Sequence, residues 1–119
     1  MKTAEEYYNR GNAKAGLGDY QGAMQDFNKA IELDPNDADA YNNRGVAKFN
    51  LGDYQGAMQD FNKAIELKPN DAKAYSNRGN AKADLGDYEG AIQDYNKAIE
   101  LNPNYANIYF NRGNAKAGL

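Results

Sequence analysis

An all-α solenoid of antiparallel helix pairs stacked in series is what the sequence predicts, and three observations carry that expectation. The stretch Leu17–Leu33, LGDYQGAMQDFNKAIEL, recurs letter for letter at Leu51–Leu67 and returns as LGDYEGAIQDYNKAIEL at Leu85–Leu101, a step of 34 residues each time. A fixed period in this range marks stacked repeats, because one short unit cannot bury its own apolar face and needs neighbours to do so. Within the unit the apolar residues fall at helical spacing. The connections are only a few residues long, so successive helices must lie antiparallel and adjacent. Seven helices follow.

Set to begin at Ala4, Ala38, Ala72 and Ala106, the chain divides into repeats 4–37, 38–71 and 72–105 and a half repeat 106–119, all within one domain spanning 1–119. The first helix of a unit is expected roughly from Ala4 to Leu17, and its counterparts from Ala38, Ala72 and Ala106. The second is expected from Tyr20 to Leu33, Tyr54 to Leu67 and Tyr88 to Leu101. Tyr20, Ala23, Met24, Phe27, Ala30 and Ile31 form one apolar stripe at helical period, while Gln25, Asn28, Lys29 and Glu32 occupy the opposite, solvated face. Leu-Gly-Asp at 17–19, 51–53 and 85–87 supplies a glycine to end one helix and an aspartate to cap the next. Pro35, Pro69 and Pro103, each followed by Asn, close the second helix and redirect the chain. Gly11, Gly45, Gly79 and Gly113 sit inside helices, where glycine costs about 1 kcal/mol relative to alanine. A cost repeated in every unit implies close approach of the paired helix, expected over Ala23, Ala57 or Ala91. Tyr7, Tyr41, Tyr75 and Tyr109 precede these glycines by one helical turn, and their rings are expected to fill the space between units.

Composition removes several function classes. The chain has 119 residues, with no cysteine and no histidine, which excludes disulfides, thiolate nucleophiles, imidazole bases and the usual zinc ligands. A net charge of −3 and a pI near 4.9 oppose a nucleic-acid partner, which needs clustered Lys and Arg. No apolar run approaches the roughly 20 residues that span a bilayer, and MKTAEEYYNR has acids where a signal peptide would be apolar. A soluble, cytoplasmic chain is expected, with no membrane contact. DPNDADAYNNRG lacks the order of an EF-hand loop, so Asp34, Asp37 and Asp39 read as helix-start charges rather than metal ligands. No catalytic residue, metal site or cofactor is expected.

The pattern Tyr7…Gly11…Leu17-Gly18-Asp19-Tyr20…Ala23…Phe27…Ala30…Pro35 resembles the tetratricopeptide repeat (TPR), a 34-residue helix–turn–helix, and the resemblance covers Ala4 to Leu119. It implies a right-handed superhelix whose first helices line a concave, peptide-binding groove. Two departures stand out: Arg10, Arg44, Arg78 and Arg112 precede the glycine where an aliphatic residue is common, and Lys14, Lys48, Lys82 and Lys116 stand where an aromatic is common. The arginines admit two readings. They pair with Asp26, Asp60 and Asp94 on the partner helix, the favoured one, or they form a cationic row that captures anions.

Function is expected where the copies differ. The second, fifth, ninth and twelfth positions of the unit share one stripe of the first helix, and they read Glu5, Asp39, Lys73, Asn107; Tyr8, Asn42, Ser76, Phe110; Asn12, Val46, Asn80, Asn114; and Ala15, Phe49, Ala83, Ala117. The thirteenth differs too, as Gly16, Asn50, Asp84 and Gly118. The expected peptide groove is Tyr8, Asn12, Asn42, Asn43, Val46, Phe49, Lys73, Asn77 and Asn80. Asparagine amides would hold a ligand's backbone, and Lys73 or the arginines its acids. Some TPR domains of chaperone adaptors clamp a partner's C-terminal carboxylate. By resemblance Asn12, Asn43 and Lys73 occupy clamp-like positions here, with Tyr8 and Asn77 where a lysine and an arginine would stand. The competing expectation is a self-assembling or designed scaffold with no ligand of its own. The near-identity of the units and the stop one helix into the fourth fit an engineered or excised array. Ile108, Tyr109 and Phe110 would then remain uncovered and join copies into a homo-oligomer.

Overall fold

Seven α-helices follow one another in the computed structural model, which describes residues 2–104 and 106–118, and the side chains of all of these except residues 106–108 and 110. They are α1 (Ala4–Gly16), α2 (Tyr20–Leu33), α3 (Ala38–Asn50), α4 (Tyr54–Leu67), α5 (Ala72–Asp84), α6 (Tyr88–Leu101) and α7 (Ala106–Gly118). Each packs on the next, and α1, α3, α5 and α7 also touch in sequence, so the first helices form one continuous layer. The array measures 49 × 26 × 21 Å. The second helices start and stop where the stripe predicts; the first end one residue early, with Leu17, Leu51 and Leu85 as C-caps.

The turn within each unit fuses two capping devices. Gly18 sits at φ 82°. Its N–H donates to the Ala15 carbonyl at 3.0 Å and that of Asp19 to the Lys14 carbonyl at 2.9 Å, closing a Schellman motif that only glycine enters cheaply. Asp19 then turns its carboxylate to the Gly22 N–H at 2.9 Å and caps the next helix. Gly52–Asp53 and Gly86–Asp87 repeat both features. Between units Asp37 and Asp71 cap α3 and α5, while α1 opens with a Thr3–Glu6 capping box.

Inside a unit the buried seam is made of Ala23, Phe27 and Ala30 and their counterparts, Tyr95 standing in for phenylalanine in the third. The close approach at the mid-helix glycines differs from the alanine contact expected. A β-carbon on Gly11, Gly45 or Gly79 would meet the ring of Phe27, Phe61 or Tyr95 at 2.7, 2.6 and 2.7 Å. The aromatic ring lies edge-on in the space a side chain would need, so it is the ring that demands glycine. The tyrosines one turn earlier do more than fill space: each arginine guanidinium lies 5.3–5.5 Å over the ring of Tyr7, Tyr41, Tyr75 or Tyr109.

Candidate peptide-binding face

Six of the cations on the first helices are tied into the framework as ion pairs. Arg10, Arg44 and Arg78 each grip the buried carboxylate of Asp26, Asp60 or Asp94 with two parallel bonds, the shorter at 2.6–2.7 Å. Lys14, Lys48 and Lys82, one turn on, reach the same carboxylates at 3.1, 3.1 and 3.0 Å. Hydrogen bonding from Arg10 holds Asp26 below the usual aspartate range against the opposing effect of burial, and the Asp60 and Asp94 bonds push Arg44 and Arg78 upward. The guanidinium also joins units: Arg44, Arg78 and Arg112 donate to Asn28, Asn62 and Asn96 of the preceding second helix at 2.9, 3.0 and 2.8 Å. The paired reading of the arginines is the observed one. Most donors of Arg44 and Arg78 thus face Asp and Asn within the framework.

The asparagine row is likewise partly engaged. Asn43 donates to Asn12 at 2.8 Å and to the Tyr8 hydroxyl at 3.0 Å, linking the first two units. Asn77 repeats the fifth-position bond, donating to Asn42 at 3.1 Å, but not the ninth-position one, because its neighbour carries Val46 there, whose side chain has no acceptor. Asn111 returns to the ninth position and donates to Asn80 at 3.2 Å. Asn42 is buried, so that amide serves the ladder rather than an open surface. Tyr8, Asn12 and Asn43 are half-buried beside it, and Lys73 stands exposed.

Two adjoining cavities lie along the first helices. The smaller, about 210 Å³, is lined by Val46, Phe49, Asn50, Phe61, Asn77 and Asn80. The larger, about 440 Å³, adds Ala83, Asp84, Tyr88, Tyr95, Asn111, Asn114 and Ala115 around Phe49 and Asn80. Phe49 and Asn80 border both. The Phe49 ring meets Tyr54 edge-on at 5.2 Å, and Asn80 accepts from the Tyr95 hydroxyl at 2.6 Å. The structure thus brings together Val46, Phe49, Asn77 and Asn80 of the expected groove, and leaves Tyr8, Asn12, Asn42 and Asn43 in the polar ladder.

Sequence reasoning missed Tyr88, Tyr95 and Asp84 as lining residues. The two tyrosines read as core stripe, and only the stacking of α6 against α7 shows that they also face a cavity. Asp84 did carry a signal, since its position differs in the neighbouring units. Of the expected association surface, the side chains of Ile108 and Phe110 lie outside the described residues. Tyr109 is exposed, with its hydroxyl donating to the Pro103 carbonyl at 3.1 Å. Among the described residues no group of carboxylates could hold a metal ion, and no helix is long and apolar enough to cross a membrane.

Comparison with known proteins agrees with this architecture. Residues 11–52 and 79–119 match a family model described as TPR repeat, and residues 38–71 and 61–93 match models described as tetratricopeptide repeat. No curated protein sequence matches the chain. Among solved structures, the chain is similar to the first TPR of Spaghetti (RPAP3) bound to the HSP90 peptide SRMEEVD, at 30% identity and TM-score 0.94, over 97% of this chain and 91% of that one. It is similar to the Arabidopsis OM64 TPR domain at 28% identity and TM-score 0.96, covering 98% and 97%. The second TPR domain of human RPAP3, in complex with the HSP70 peptide SGPTIEEVD, aligns at 28% identity and TM-score 0.90, covering 95% and 94%.

Proposed function

Since the chain belongs to the tetratricopeptide repeat family, we propose that it is a non-catalytic protein–protein interaction scaffold that takes a peptide segment of a partner in the concave groove lined by its first helices. One observation carries this reading. The two cavities along those helices are bordered by Val46, Phe49, Asn50 and Asp84, residues at which otherwise repeating units differ. A framework repeats; a recognition surface needs individuality. Similar TPR domains are seen bound to the HSP90 peptide SRMEEVD and the HSP70 peptide SGPTIEEVD, which supports a peptide as the ligand class. The groove assigned here comprises Val46, Phe49, Asn77 and Asn80 at its centre. Tyr8, Asn12, Asn42 and Asn43 form its polar wall and Lys73 its rim.

Panning a peptide-display library on the immobilised chain tests the proposal. Peptides enriched on the wild type should lose binding to a variant with Tyr8, Asn12, Phe49 and Lys73 replaced by alanine. Equal enrichment on both would remove the groove from consideration. Acidic C-terminal peptides should bind no better than their amidated forms, because Tyr8 and Asn77 replace the cations that a complete carboxylate clamp requires.

A second reading, association of copies through the surface around Tyr109, draws on that ring's exposure. Light scattering across a wide concentration range separates the two: a mass rising toward a dimer favours association, a constant monomer the groove.

A further inference from the structure

Among near-identical units the differences are informative, and two of the sharpest meet in the larger cavity. Phe49 stands where other units carry Ala15, Ala83 and Ala117, and Asp84 where they carry Gly16, Asn50 and Gly118. Both line the same cavity of about 440 Å³, together with Tyr88, Tyr95 and Asn114. That volume lies within the roughly 300–1,000 Å³ of pockets that enclose small ligands.

The charge there is unusual for a framework position. Asp84 is the last residue of α5, where the helix dipole is negative and a carboxylate is disfavoured. It forms no salt bridge among the described residues, and its side chain is exposed. It is also the single charged residue among the described lining of the larger cavity, and the smaller has none. The field of Asp84 reaches the cavity wall: the Tyr95 phenol is pushed up to about 12, first by burial and then by Asp84 and Asp94. A carboxylate placed against the helix dipole, beside rings from Phe49, Tyr88 and Tyr95, violates a local rule without a structural partner to compensate it.

We propose that this cavity is a subsite for an arginine side chain presented by an extended segment of a partner protein. The guanidinium lies against the faces of Phe49 and Tyr88 and donates to the carboxylate of Asp84 and the amide oxygen of Asn114. A planar, weakly hydrated cation suits ring faces and a carboxylate together better than a compact ammonium does. Asn80 is not an acceptor for it, since its oxygen already receives the Tyr95 and Asn111 donors. The proposal rests on the groove reading and deepens it, setting the ligand's charge at this end of the groove as positive. Acidic peptides such as SRMEEVD and SGPTIEEVD, bound by similar domains, would meet a carboxylate here instead.

The test is an NMR titration of the isotopically labelled chain with three acetylated, amidated heptapeptides. They place arginine, its neutral isostere citrulline, or glutamate between Gly-Ser-Gly flanks. The arginine peptide should give saturable shifts centred on residues 80, 84, 88 and 114, and citrulline should bind about tenfold more weakly, the size of one lost charge-assisted contact. Asp84→Asn should lower arginine affinity by a similar factor while leaving the melting temperature unchanged or higher, because it relieves the helix dipole. Phe49→Ala should weaken binding without unfolding the chain, since alanine occupies that position in the other units. Equal binding of arginine and citrulline, shifts centred elsewhere, or Asp84→Asn behaving as wild type would each overturn the subsite. If the arginine peptide fails while display-selected peptides still bind through Phe49 and Asn80, the subsite falls and the groove stands. If neither binds, both fall.

Discussion

The seam between the two helices of a unit and the face shared by successive first helices come from the same 34-residue pattern, yet they are built on different rules. The seam is nearly uniform: the shorter arginine–aspartate bond spans 2.6–2.7 Å from unit to unit, and a β-carbon placed on the glycine would meet the ring at 2.6–2.7 Å in each. The face changes at every step. Asn43 bridges to Tyr8 and Asn12, Asn77 reaches Asn42 alone because the Val46 side chain offers no acceptor, and Asn111 reaches Asn80. The seam admits only conservative change, as Tyr95 in place of Phe27 and Phe61 shows, because a ring must still fill the space over each glycine. The face can vary because each amide finds another acceptor within reach.

The largest expected break in the seam is Asp60→Asn. It leaves Arg44 and Lys48 around a buried site without their counter-charge, and should cost about 2–4 kcal/mol, below a fully buried pair because both cations are partly exposed. Denaturant unfolding measures it, and a loss no larger than that of an exposed charge would show that the triad does not hold the seam. Gly45→Ala comes next. Its β-carbon would meet the Phe61 ring at 2.6 Å, so overpacking of about 1–3 kcal/mol should outweigh the helix-propensity gain of about 1 kcal/mol. Gly113→Ala sharpens the comparison with the opposite sign: nothing lies within 4 Å of its β-carbon, so it should stabilise by up to about 1 kcal/mol. Parallel thermal melts of the two variants check both.

Tyr95→Phe is the smallest and joins the two regions. It restores the ring found in the other seams but removes the 2.6 Å bond to Asn80, at a cost of about 0.5–1.5 kcal/mol near neutral pH. Burial, with Asp84 and Asp94, pushes the folded phenol up to about 12 from an ordinary 10.0, so its contribution is full below about 10 and is lost as pH rises toward 12. The variant should lack that part of the alkaline loss. At the acid end the sign reverses. Asp26 is depressed below its ordinary 3.8, so its contribution is complete above that value and fades as pH falls through the lowered one. Melting temperature against pH, with Asp26→Asn as the flat control, reads this limb.

Much of this was legible before any coordinates. The 34-residue step, the apolar stripe and the Leu-Gly-Asp turns dictated the helices, their order and their bounds to within a residue, because helical period, glycine at positive φ and aspartate caps are local properties. The arginine–aspartate pairing was legible for a similar reason, since both residues recur at one offset in every unit. What glycine makes room for was not, because Ala23 and Phe27 lie on the same helical face and only packing shows which one arrives. Nor was the fate of the lysines at 14, 48 and 82, which the fold makes second partners of the buried carboxylates. The cavity around Phe49, Asp84 and Tyr88 belongs wholly to the tertiary structure. It draws residues from α3, α5, α6 and α7, whose relative placement depends on how whole units stack rather than on any neighbour in sequence.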